Sequence, residues 1–239
     1  MRKLLLVLLL MGKCCWALER QPNADYHARR EALAKKTNGN VVVLFAPMEA
    51  EGPNAIFGFH QDENFYYLSG WPDPGAALLI APAVEATTDT PARPYTEIFF
   101  LPAHNYVEEK WTGPKLGAEN PGAAKITGFD RVEVLDKLRD ILAGFLPKGR
   151  LTVYSDIAEG SETAASTGPL EWLKRTNAFP GFVTLQDIKP MIAWLRTYKD
   201  AGEVQLIRKA TDASVAAHFG RHARDEAGNH GAGYLADAV

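Results

Sequence analysis

His218 and His222 stand four residues apart, the spacing that turns two imidazoles to one face of a helix, and Asp225, Glu226 and His230 follow closely. These are permissible ligands for a transition metal. The set lacks the internal glutamate of an HExxH site, however, and Gly220, Gly228, Gly231 and Gly233 argue against a rigid helix to hold it. His60 and His104 fall at strand or loop ends, where an imidazole either reaches a cleft or satisfies a hydrogen bond within its own loop; the second use is the commoner. Ser155-Asp156 has the form of a strand exit, where both residues turn the chain. The sequence contains no glycine-rich phosphate loop, GxSxG elbow or CxxC pair, which removes nucleotide and serine-hydrolase readings. We assign no catalytic, metal-binding or cofactor-binding residue.

Both cysteines, Cys14 and Cys15, lie in a segment with the form of a secretory leader. Arg2 and Lys3 give a positive start, Leu4 to Met11 a short apolar run, and Cys15-Trp16-Ala17 small residues at a cleavage site. The run is too short to span a bilayer as a permanent helix. Residues 1–17 are therefore expected to be a signal peptide and the protein to be secreted or periplasmic. Without that segment the chain has no thiol chemistry, and the loss of Arg2, Lys3 and Lys13 takes the net charge from −3 to −6. Such a balance favours neither nucleic acid nor an anionic membrane as partner. With 46% hydrophobic and 23% charged residues, the chain has the composition of a globular protein and not of a disordered one.

The elements that would position any site alternate between strand and helix. Asn23 to Asn38 is helical by spacing, with Asp25 as a cap, Tyr26, Arg29, Arg30, Leu33 and Lys36 in sequence, and Asn38-Gly39 as a left-handed stop. Val41 to Phe45 is a continuous apolar strand of the kind found at a sheet centre. Phe65 to Leu68 is a β-prone run, Ser69 to Gly75 is dense in turn formers, and Ala76 to Ile80 is apolar throughout; we expect strand, sharp turn, buried strand. Thr87 to Pro94 reads as a surface connection and Glu97 to Leu101 as another buried strand, leading through His104 into a short helix that contains Trp111. Asn120 to Lys125 is expected to be a helical turn, Arg131 to Phe145 one amphipathic helix, and Leu151 to Tyr154 a strand. After a polar loop from Asp156 to Gly168, a helix over Leu170 to Arg175, a strand over Phe182 to Leu185 and a helix over Ile188 to Thr197 follow. This alternation implies an α/β layered domain. Asp200 and Glu203 then form a capping box for a helix extending to about His218.

Three segments in order carry a family resemblance. Gln61-Asp62 with Phe65-Tyr66-Tyr67-Leu68-Ser69-Gly70 resembles the signature of the amino-terminal domain of Xaa-Pro aminopeptidases (aminopeptidase P) and their prolidase and creatinase relatives. Glu109-Lys110-Trp111-Thr112-Gly113 with Leu116-Gly117 is similar to a second family segment, and Lys189-Pro190 through Arg196, Lys199-Asp200, Glu203 and Ile207-Arg208-Lys209-Ala210 to a third. The resemblance implies a layered mixed β-sheet flanked by helices in the ribonuclease-H-like arrangement, followed by a helical stub of the catalytic domain. It divides the chain into a signal peptide (1–17), an amino-terminal domain (18–185), a linker helix (186–199) and a truncated start of the catalytic domain (200–239).

The resemblance further implies that the complete enzyme removes an amino-terminal residue preceding proline, with two divalent ions, manganese, activating a bridging water. The family's metal ligands all lie beyond the helix that starts at Asp200, and no position here matches one. By this reading the chain has no cofactor of its own and is inactive alone. It acts on a peptide substrate only with a catalytic domain, and it forms a homo-oligomer through the amino-terminal domain. Trp71 and Trp111 are either partner contacts or buried under neighbouring loops. The alternatives are a freestanding binding or assembly module and a fragment of an Xaa-Pro dipeptidase. From about Gly220 the residues leave the family pattern, and a one-nucleotide shift of frame restores it in part: any codons for Glu226-Ala227 then yield lysine or arginine, the basic residue of the family's Lys-Pro-Gly turn. The tail is thus expected to be a reading-frame accident and to be non-helical.

Overall fold

The computed structural model describes residues 20–48, 59–84, 93–145, 152–156 and 184–232, with the side chains of 82–84, 93–94, 108 and 220–232 left aside. The leader, residues 87–92 of the expected surface connection, most of the loop from Asp156 to Gly168 and the helix expected over Leu170 to Arg175 lie outside the described residues.

Six strands form one mixed sheet in the order β4-β3-β2-β1-β5-β6: β1 Val41–Phe45, β2 Ala77–Val84, β3 Arg93–Leu101, β4 Arg131–Val134, β5 Thr152–Ser155 and β6 Thr184–Asp187. The pairs β1/β2 and β2/β3 are antiparallel, and β3/β4, β1/β5 and β5/β6 are parallel. β1 and β2 occupy the centre, as their unbroken apolar sequences require of strands covered on both faces.

Period-two alternation sorts the strand residues into two cores. Val42, Leu44, Leu78, Ile80, Phe99 and Leu101 share one face with Leu33 of α1 (Asn23–Lys36), Phe65 and Leu68 of α2 (Glu63–Ser69), and Ile192 of α6 (Lys189–Thr197). Val41, Val43, Leu79, Ile98 and Phe100 share the other with Leu138 and Leu142 of α5 (Leu138–Phe145). Among the described residues, the remaining helices of this unit are α3 (Tyr106–Thr112) and α4 (Ala123–Thr127). The compact unit built this way comprises Arg20–Thr197.

Several elements differ from the sequence expectation. The Phe65 to Leu68 run is helix, not strand. Asp62 caps α2 by accepting from the Phe65 amide at 2.8 Å, Gly70 closes it at φ +61, and helical spacing buries Phe65, Leu68 and Ser69 together. Local capping and burial on one face outweigh the β propensity of the aromatic residues. The single helix expected over Arg131 to Phe145 is a strand, β4, then a 3-10 turn over Leu135–Lys137, then α5. Val132 and Val134 pair in register with Phe99 and Leu101, and this edge pairing takes the β-branched residues out of the helix. α1 begins after Pro22 with no side-chain cap, so Asp25 sits in the first turn and does not cap it. The stop is as expected, with Asn38 at φ 52 and Gly39 at φ 77.

The second unit, from Tyr198 onward, contains one long helix, α7 (Ala201–Ala232). Its capping box forms as the sequence implies: the Glu203 amide donates to Asp200 Oδ1 at 2.7 Å and the Asp200 amide to Glu203 Oε2 at 3.0 Å. The helix runs past His218 and through Gly220, Gly228 and Gly231, against the expectation of a non-helical tail. Each glycine costs a helix about 1 kcal/mol relative to alanine, which lowers its stability without breaking it, and no proline intervenes.

Candidate functional site

The carboxyl end of β3 opens onto a small cleft that is continuous with solvent. One wall is the loop after α2, carrying Trp71, Asp73 and Pro74; the other is the segment from Leu101 to Glu109, with Lys115 and Leu116 beyond α3. The first wall is fixed from below. Gln61 Nε2 donates to the carbonyls of Trp71 and Asp73 at 3.1 and 2.9 Å, and the Gly75 amide donates to Pro47 O at 3.0 Å. Trp71 is half-buried and meets Phe99 edge-on at 5.5 Å, so of the two roles considered for it the structure gives burial. Trp111 is 89% exposed on α3, beside exposed Tyr106 and Val107.

His104 lines this cleft and is bonded on both ring nitrogens. Nδ1 lies 2.5 Å from Glu109 Oε1 and Nε2 2.7 Å from Glu119 Oε1, while the ring stacks on Tyr106 at 5.5 Å. The hydrogen bonds to Glu109 and then to Glu119 raise its pKa above the ordinary imidazole value. Glu119 is held below the usual carboxylate range, first by its own backbone N–H and then by His104. A Cβ on Gly117 would collide with the Glu119 carboxylate and His104 Nε2, so a side chain there would displace the end of Glu119 from the imidazole.

A second polar cluster lies inside the domain. Glu97 shares the β3 face of Phe99 and Leu101 and so points at α1, where Arg30 meets it in a fork: Nε to Oε2 at 2.8 Å and one terminal nitrogen to Oε1 at 3.0 Å. Both side chains are buried, at 0% and 1% exposure. Arg30 also donates to Leu68 O and Gly128 O and lies 3.8 Å over the Phe129 ring. His27 Nδ1 lies 3.0 Å from Glu97 Oε1, and the Tyr95 hydroxyl, raised in pKa by burial and then by the Glu97 carboxylate, adjoins that histidine. The sequence reading placed Arg30 on the α1 face with Tyr26 and Leu33 without seeing this pair. The available signal was one arginine on an apolar helix face and one glutamate at the head of an apolar strand, which must find each other if both are buried.

His60 is exposed and outside the cleft. His218 is exposed on α7, and the side chains of His222, Asp225, Glu226 and His230 lie outside the described ones. The described residues do not fit a two-metal centre: no group of three His, Cys, Asp or Glu side chains among them is placed to hold a metal ion. In the cleft, Glu109 and Glu119 approach His104 from opposite edges of its ring and bind its protons, which leaves no shared coordination point. No step is routed through a metal.

What fold and cleft define is an α/β domain whose described polar clusters bind one another and whose α3 helix offers an exposed aromatic surface. Residues 26–154 match the family described as "Aminopeptidase P, N-terminal domain", and the chain belongs to that family. It is 30% identical to human Xaa-Pro aminopeptidase 3 over 174 residues, which is 73% of this chain and 33% of that protein. It is 23% identical to the Xaa-Pro aminopeptidase of Escherichia coli strain K12 over 201 residues, 81% of this chain and 43% of that one. Among solved structures, proline aminopeptidase P II from Yersinia pestis superposes with a TM-score of 0.61 at 25% identity, covering 83% of this chain and 44% of its own. A zinc-substituted aminopeptidase P from E. coli, solved with product, gives 0.63 at 21% over 84% and 44%. The chain therefore spans a third to less than half of these four relatives.

Proposed function

We propose that this chain serves as the amino-terminal domain of a metal-dependent Xaa-Pro aminopeptidase, which in complete form hydrolyses the bond between an amino-terminal residue and a following proline. The observation that carries the proposal is the family match over residues 26–154, which takes in all of the sheet except β6 and the last residue of β5, together with the Trp111 helix. The chemistry would belong to a catalytic portion holding two divalent ions, manganese by the family resemblance, that activate water and polarise the scissile carbonyl. The present residues would shape the approach to that centre and hold copies of the enzyme together. Exposed Tyr106, Val107 and Trp111 support the assembly role, since aromatic side chains are enriched at interfaces. The positive and apolar start of the chain supports a secreted or periplasmic location.

The test joins this chain to the catalytic portion of the E. coli relative and measures release of the first residue from an Xaa-Pro peptide with manganese, alongside the mass in solution by light scattering. Chelator-sensitive turnover by an oligomeric chimera is expected, with Trp111→Ala reducing assembly. A folded chimera that stays monomeric and inactive, where the relative's own pair is active, would overturn the proposal.

A further inference from the structure

We infer that His104, Glu109 and Glu119 form a pH-gated clasp that ties the turn after α3 to the helix itself and so sets the shape of the cleft. The geometry suits a charged ring. A neutral imidazole has one N–H and one lone pair, so it can donate to one carboxylate only and would present its lone pair to the other; with oxygens at 2.5 and 2.7 Å from the two nitrogens, two ionised carboxylates are satisfied together by the imidazolium. Gly117 is consistent with this approach, because a Cβ there would push the end of the Glu119 side chain away from His104 Nε2.

The two arms of the clasp are unequal. Glu109 belongs to α3, which is closed by the Gly113 backbone N–H donating a hydrogen bond to the Glu109 carbonyl at 3.0 Å, and its side chain is 12% exposed. Glu119 is 67% exposed and rides on a turn tied by the Asn120 amide, which donates to Gly117 O at 3.2 Å. When the ring loses a proton, the Glu119 arm is the one that releases. The charged and titratable groups around the ring are Glu109 and Tyr106 on α3, Glu119 and Lys115 in the segment after it, and Asp73 across the cleft.

The sign follows from the directions of the two shifts. His104 is raised from the ordinary 6.5, so the clasp is complete below that pH and is lost as pH rises through the elevated value. Glu119 is lowered from 4.5, so on the acid side the clasp persists until pH falls through that depressed value. Between these limits the turn is fixed and the cleft has one wall geometry; above them the turn is free and the wall opens at Lys115 to Glu119.

The experiment uses the full 239-residue chain. Nuclear magnetic resonance follows the His104 ring signals from acid to alkaline pH, with amide protection factors for Gly117 to Asn120 at both sides of the transition. The expected result is a His104 midpoint above the ordinary imidazole value of 6.5, coincident with a severalfold loss of protection at Asn120. His104→Arg, which keeps charge and donors at every pH, should abolish the pH dependence of that protection. Gly117→Ala, which alters no ionisable group, should lower both the His104 midpoint and the protection at neutral pH. A His104 midpoint at or below the ordinary imidazole value, or unchanged Asn120 protection through the His104 transition, would overturn the inference.

Discussion

Two charged clusters are mounted on or just beyond the same strand, Glu97 within β3 and His104 a short step past its end, and they behave as opposites. The inner one pairs a permanent cation with a carboxylate, removes both from water, and saturates the guanidinium with two backbone carbonyls and an aromatic face. The outer one pairs a titratable cation with two carboxylates, one of them exposed. Burial turns the first into a condition for folding, because either partner alone would be an uncompensated charge in the core. Exposure leaves the second free to open and close without endangering the sheet.

The comparison breaks most readily at Arg30. Arg30→Met should destabilise the domain by about 3–5 kcal/mol, since Glu97 would stay buried with only a half-exposed histidine beside it. Pairing it with Glu97→Leu should recover much of that loss. Urea denaturation of the single and double variants decides the matter, and additive losses would show that the pair is not the unit described.

A smaller effect is expected where the backbone, not charge, joins these regions. Gly70 ends α2 at φ +61, and a Cβ there would run into the Tyr26 ring and Arg20 Nε. Gly70→Ala should cost on the order of 1–3 kcal/mol by thermal denaturation, from strain at positive φ and the displaced ring together. Asp62→Ala, which removes the cap at the other end of the same helix, should cost about 1 kcal/mol in the same measurement. Least of all, His104→Gln should lower the denaturation midpoint only slightly at mildly acidic pH, where it removes the charged but exposed bonds of the outer cluster. A large shift there would erase the distinction between the two.

How far the sequence reveals these regions depends on whether the deciding contact is local. β1, β2 and β3 are legible because unbroken apolar runs admit only a buried strand, and the Asp200–Glu203 cap because both partners lie within one turn. The Phe65 to Leu68 run misleads because its residues favour strand, while Asp62 and Gly70, both in plain sight, cap a helix. The Arg131 to Phe145 run misleads because Val132 and Leu135 continue the helical stripe of Leu138, Ile141, Leu142 and Phe145, while the alternation of Val132 and Val134 suits a strand, and pairing with β3 decides. His104 is visible as a loop histidine near a cleft, but Glu119 lies 15 residues on and only the fold brings it to the ring. Arg30 and Glu97 are 67 residues apart, and nothing local names them as partners.

We propose that this chain shapes and assembles an Xaa-Pro aminopeptidase whose chemistry belongs to the catalytic portion of the enzyme. The most direct measurement is release of the first residue from an Xaa-Pro peptide by the purified, repurified chain alone in the presence of manganese. The account expects no turnover above buffer at any pH across the His104 transition. Turnover that persists through repurification and disappears with a chelator would contradict it.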